Sequence, residues 1–129
     1  MRVFSGGGGA AQGNSYVDRG DPAAADFAVG DFTTDASWND LDLSSIVPAG
    51  AVAVHLYVVI NDNAAGSAML FRKNGNSNAF NIGRVATHVT GITESGDVIT
   101  TLDSNRVIEY WGTNVAFVSI DVTVKGWFI

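Results

Sequence analysis

Residues 51–60 read AVAVHLYVVI, with Val52, Val54, Leu56, Val58 and Ile60 at every second position. Side chains two apart share one face of a strand but point to opposite sides of a helix, so this row can be buried together only in extended backbone. The alternate row, Ala51, Ala53, His55, Tyr57 and Val59, is almost as apolar, which predicts a strand covered on both faces. The alternation returns in residues 115–129, VAFVSIDVTVKGWFI, where Ala116, Val118, Ile120, Val122 and Val124 form an inward row opposite Phe117, Ser119, Asp121, Thr123 and Lys125. Two long segments of period two commit the chain to β-structure.

The remaining segments extend the pattern. FAVGDFTT (27–34) and SWNDLDLS (37–44) read as early strands, with Leu41 and Leu43 on one face and Trp38 on the other. Pro48 and Gly50 turn the chain into the long strand, and NDNAAG (61–66) turns it out again into SAMLFRK. Asn74-Gly75 predicts a tight hairpin with a type I′ turn, which needs positive φ at both central residues. FNI, VATHV, DVITTL and RVIEYW follow as short strands spaced by roughly 8 to 12 residues. No segment carries an amphipathic helical period, and no internal repeat is present. Eight or nine strands without helical crossovers predict an all-β fold: an antiparallel two-sheet sandwich, with the jelly roll as its expected form.

That sandwich is expected over residues 27–129. Residues 1–26 read as an extended Gly/Ala/Asp-rich arm. Its SGGGGAAQGN run (5–14) has almost no side chain to bury and the largest ordering entropy to overcome, so its own contacts cannot hold it. Val3 and Phe4, ahead of that tether, read as an anchor that docks elsewhere.

Charge narrows the chemistry. Seven Lys and Arg against 13 Asp and Glu give a net charge of -6, against a nucleic-acid binder and against polybasic membrane attachment. The absence of cysteine removes disulfides, thiolate zinc sites and thiol nucleophiles. His55 and His88 each sit inside a strand pattern with no nucleophile or acid signature beside them, and two histidines are too few for a zinc site. Asp18, Asp21, Asp26, Asp31, Asp35, Asp40 and Asp42 fit no calcium-loop spacing and read as solvated or edge-protecting charges. Arg19-Gly20-Asp21 spells the tripeptide that integrins read, but a turn into Pro22 accounts for it. Glu94 and Glu109, the two glutamates, have no assignable partner for glycoside hydrolysis. No catalytic residue, metal or cofactor is therefore expected, and the chain is read as a non-enzyme.

Sugar binding survives this sieve. DSNRVIEYWGTN offers Asp103, Asn105, Arg106, Tyr110, Trp111 and Asn114, aromatic rings for sugar faces and planar polar groups for hydroxyls. Tyr110 and Trp111 are adjacent and must point to opposite faces, so at least one belongs to core or interface.

Taken together, DFTTDASWNDLDLSSIVPAGAVAV, FRKNGNSNAFNI, DSNRVIEYW and IDVTVKGWFI resemble the short, jelly-roll-like β-sandwich domains of tailed-phage virion proteins, of the head-decoration and fibre-tip types, over about residues 32–129. The resemblance implies a virion surface protein, often trimeric, partnered by itself and by the major capsid or another virion protein. It brings no catalytic or ligand residue. Neither an apolar leader core nor a run of about 20 apolar residues is visible, which fits synthesis in a host cytoplasm and release by lysis. The expectation is a homotrimer that decorates a capsid, with Val3, Phe4, Trp127 and Phe128 as assembly contacts. The alternative is a glycan-binding adhesion module at a tail-fibre tip that meets a host surface glycan.

Overall fold

A computed structural model describes residues 15–129. Eight strands follow in chain order: β1 (Tyr16–Asp18), β2 (Asn39–Asp42), β3 (Ala53–Asn61), β4 (Ala68–Lys73), β5 (Gly83–Ala86), β6 (Glu94–Thr101), β7 (Val107–Gly112) and β8 (Ser119–Phe128). They form two four-stranded antiparallel sheets, sheet A in the order β1-β8-β3-β6 and sheet B in the order β2-β7-β4-β5. The fold is an all-β two-sheet sandwich. First pairs with last, second with seventh, third with sixth and fourth with fifth, as if one long hairpin had been rolled across two layers.

The alternation read from the sequence sets the core. Val54, Leu56, Val58 and Ile60 of β3 are fully buried, beside Ile120, Val122 and Val124 of β8 and Val98 of β6. Leu41, Met69, Phe71, Ile108 and Tyr110 meet them from sheet B. Burying a side chain of this size is worth roughly 1.5–3 kcal/mol, so this layer is the main source of stability.

Several local expectations need correction. FAVGDFTT is not a strand: Phe27 makes an isolated bridge to Val122, and Val29–Asp31 is a 3-10 turn closed by the Asp31 carboxylate, which accepts the Ala28 amide at 2.8 Å. The inward row of β3 starts at Val54, since Val52 is 53% exposed. Its other row, Ala53, His55, Tyr57 and Val59, is half-buried to exposed, so among the described residues β3 is fully covered on one face only. FNI falls in the 74–82 loop, and β8 starts only at Ser119, with Val115 and Val118 exposed and Phe117 turned inward.

Asn74-Gly75 does not join two strands by a two-residue turn. Gly75 has φ 95° while Asn74 keeps a negative φ, and the Asn76 amide donates to the Lys73 carbonyl at 3.2 Å, the pattern of a type II turn. A bulge in β8 also shifts its alternation. His55 pairs with Gly126 and Leu56 with Val124, leaving Lys125 as the extra residue. Trp127 therefore continues the inward row, level with Val54 and Val17, and Phe128 points outward.

Part of the 1–26 segment read as an arm belongs to the sandwich. Tyr16–Asp18 pairs with β8, and the Asp26 and Phe27 amides both reach the Val122 carbonyl, so residues from 15 onward are tied to the sandwich. Residues 1–14, with Val3, Phe4 and the glycine run, lie outside the described residues.

Candidate functional site

The six residues read as sugar ligands do not converge. Tyr110 is a core residue, edge-to-face on Phe32 at 4.9 Å, and its hydroxyl accepts the Thr33 amide at 2.8 Å. Asp103 accepts the Asn105 and Val107 amides on Oδ1 and the Asn74 side chain on Oδ2. Burial pushes its carboxyl up, but these bonds outweigh that and hold it below the usual range. Arg106, at φ 64°, donates Nη1 to the Ser44 and Val47 carbonyls. Asn114 lies past the opposite end of β7 and donates to Asp62. Asp103, Arg106 and Asn114 are thus occupied in bracing loops, and only Trp111 stands outward on an open sheet face.

Trp111 has a partner that spacing could not reveal. The register Asn39↔Tyr110 brings Trp38 alongside it, and the two indoles meet at 5.6 Å with planes 77° apart. Leu70 is the Cα partner of Trp111 on β4, and Ala36, Ala79 and Thr113 complete a shallow, mainly apolar groove of about 380 Å³ on the outer face of sheet B. The outward position of Trp38 was readable from alternation; its meeting with Trp111 depends on the pairing of β2 with β7.

One ion pair fixes the groove wall. The Arg72 guanidinium lies 4.0 Å from the centre of the Trp38 ring, donates Nε to Glu109 Oε1 at 2.6 Å and reaches the Asn78 carbonyl at 3.2 Å. Glu109 Oε2 accepts the Gly75 amide at 3.3 Å, so the pair also clamps the 74–82 loop, which holds Phe80 almost wholly in solvent. Next to Leu70 on β5 stands Arg84, exposed and without a carboxylate partner among the described residues. Asp40 lies across from Glu109 on β2.

The outer face of sheet A carries a different chain of groups. Tyr16 Oη lies 3.1 Å from His55 Nδ1, His55 Nε2 lies 3.1 Å from Asp97 Oδ1, and Lys125 Nζ donates to the same oxygen at 2.9 Å. The Lys125 hydrogen bond holds the Asp97 carboxyl below its ordinary range, and Asp97 in turn raises the Lys125 ammonium. A hydroxyl, an imidazole and a carboxylate follow in the order of a catalytic triad, but on an open sheet face and with a phenol in the nucleophile's place. The arrangement links β1, β3, β6 and β8. His55 looked partnerless in the sequence because a three-residue strand among small and polar residues gives no periodic signal. Beside this chain Tyr57 and Ile99 are 39% and 61% exposed.

Loop ends are held by buried polar groups. Asp62, 1% exposed, accepts the Asn63 amide at 2.7 Å, the Ser67 hydroxyl at 2.5 Å and the Asn114 amide group at 2.8 Å. Arg19 pairs with Asp26 and reaches the Val124 carbonyl, so the arginine of the Arg-Gly-Asp tripeptide is held against the sandwich. Among the described residues no three of His, Asp and Glu gather as a metal site. No helix among them is long and apolar enough to cross a membrane. Trp127 packs half-buried on the core, while Phe128 meets the Tyr16 ring at 5.1 Å. Comparison with protein-family models gives no match, and comparison with curated proteins gives none either.

Proposed function

We propose that this chain is a structural protein of a phage virion surface, non-enzymatic, that self-assembles as a homotrimer and attaches to the major capsid or another virion protein. The observation that carries the reading is the outer face of sheet A, where Tyr57 and Ile99 stand in solvent beside half-buried Ala53 and Val59. Exposed apolar side chains set around the Tyr16–His55–Asp97–Lys125 chain make a mixed surface suited to a partner. The rolled-hairpin pairing of the two-sheet sandwich is compatible with the jelly-roll form expected from the sequence, a fold that recurs in capsid and lectin domains. Closed symmetry would bury such a face between copies. Phe128 and Tyr16 extend the surface, Trp127 supports it from within, and Val3 and Phe4 are the proposed anchors on the particle.

Light scattering after size exclusion tests assembly. The expected mass is that of three chains, and Ile99→Asp is expected to lower it to one chain with an unchanged circular dichroism spectrum. A wild-type monomer at micromolar concentration that also fails to attach to undecorated capsids would overturn the proposal. The paired tryptophans on sheet B favour a second reading, a glycan-binding module of a fibre tip, which can coexist with assembly through sheet A.

A further inference from the structure

We propose that the Trp38–Trp111 groove takes a carboxylate-bearing sugar, with the pyranose ring against the indoles and its carboxylate on Arg84. The inference rests on the glycan-binding reading and adds the ligand's charge and its orientation.

A pyranose has an apolar C–H face and a polar rim, and an aromatic plane beside a polar group matches both. The groove supplies such a corner. Arg72 already stacks on Trp38 and is neutralised by Glu109, so Trp38 is a fixed wall and Trp111 the platform. Leu70 continues the apolar surface from Trp111 toward β5, where Arg84 is its Cα partner.

Charge selects the ligand. Among the described cations, Arg19, Arg72 and Lys125 are paired with Asp26, Glu109 and Asp97, and Arg106 is spent on backbone carbonyls. Lys73 faces away from the groove, toward the sandwich end that holds Asp103. Arg84 alone is both exposed and in register with the groove, next to Leu70 and one strand beyond it from Trp111. On a chain of net charge -6 most of the surface repels an anion, so an unpaired guanidinium beside an apolar platform is the place where a single carboxylate gains most. Asp40, on the β2 side, accepts hydroxyl hydrogen bonds and repels the ligand's carboxylate toward Arg84. The two charges therefore set the direction in which the sugar lies across the strands.

The test uses the full chain, labelled with 15N at its indoles, and short oligosaccharides built on galacturonate, glucuronate and N-acetylneuraminate, each paired with its methyl ester. Trp127, packed on the core of the sandwich, is the internal control. Trp38 and Trp111 signals are expected to move with at least one acid while Trp127 stays still, and the matching ester is expected to bind about fivefold more weakly. Arg84→Gln, an exposed position, should bring the acid down to the ester's affinity without changing the ester's, and Trp111→Ala should abolish both. Equal binding of acid and ester, unaffected by Arg84→Gln, overturns the anionic assignment and leaves the glycan reading standing. No shift with any acid or ester overturns both.

Discussion

Replacing Asp62 tests how far one buried carboxylate holds an end of the sandwich. Its side chain accepts from the Ser67 hydroxyl, the Asn114 amide group and the Asn63 backbone, so three loop segments meet on two oxygens. In Asp62→Ala the Asn63 amide can turn to water, but Ser67 is 5% exposed and Asn114 half-buried, so two donors lose a charged partner with little solvent to replace it. At about 1–2 kcal/mol each, the expected loss is roughly 2–4 kcal/mol, a large share of the 5–15 kcal/mol typical of a domain. Asp62→Asn should lose about half as much, since one oxygen remains while the new NH2 opposes a donor. Urea titration at pH 7, followed by tryptophan fluorescence, measures both. Acid provides a second reading. Burial pushes the Asp62 carboxyl up, but the Ser67, Asn114 and Asn63 bonds outweigh it and hold it below the ordinary value. Its stabilisation is then complete above the unfolded value near about 3.9 and is lost as pH falls through the lower folded value. The wild type should lose more stability than Asp62→Ala between pH 5 and 2. A neutral-pH loss for Asp62→Ala below about 1 kcal/mol, or equal acid sensitivity in both proteins, would refute the reasoning.

Two further outcomes follow from close approaches and turns. A Cβ on Gly126 would collide with the Val17 carbonyl and the Tyr16 ring, so Gly126→Ala should cost about 1–3 kcal/mol and free β1, seen as faster amide exchange at residues 16–18 with β3 and β6 still protected. Gly75 has φ 95° with open space around it, so Gly75→Val should lose about 1–3 kcal/mol in thermal melts through backbone strain, and Gly75→Asn clearly less.

Strict alternation was the legible part of the fold. It placed Val54 to Ile60 inward, set Leu41 and Leu43 against Trp38, and separated Tyr110 from Trp111, because each depends only on backbone geometry. It failed where one residue changes the phase: the bulge at Lys125 turned Trp127 into the core, which neighbours in sequence do not signal. It also misread residues 27–34, where the Asp31 carboxylate caps Ala28 and curls apolar residues that otherwise suit a strand. Site residues were legible singly and not as a set. Trp111 was named with Asp103 and Arg106 because they share a segment, yet the sheet carries those two to the far end of β7 and sets Trp38 and Leu70 beside it, with Arg84 one strand beyond Leu70. Sequence proximity selected the wrong companions, since in a sandwich the neighbours of an outward side chain lie across strands.

The position of β8 has a consequence for how the chain folds. It is the last strand of the sandwich in chain order, yet it lies inside sheet A between β1 and β3. Until it has been synthesised, β3 lacks one of its two neighbours among the described strands and β1 lacks its partner, and the apolar row Val54 to Ile60 has no Ile120, Val122 or Val124 beside it. Pairing can begin at the inner turn between β4 and β5 and spread outward, but each later pair closes a longer loop, and β1 on β8 closes the longest. Such non-local closure makes folding slow and exposes apolar strands meanwhile. Emergence of β8 is thus the event that commits the nascent chain, and until then its survival depends on solubility or on a chaperone's hold.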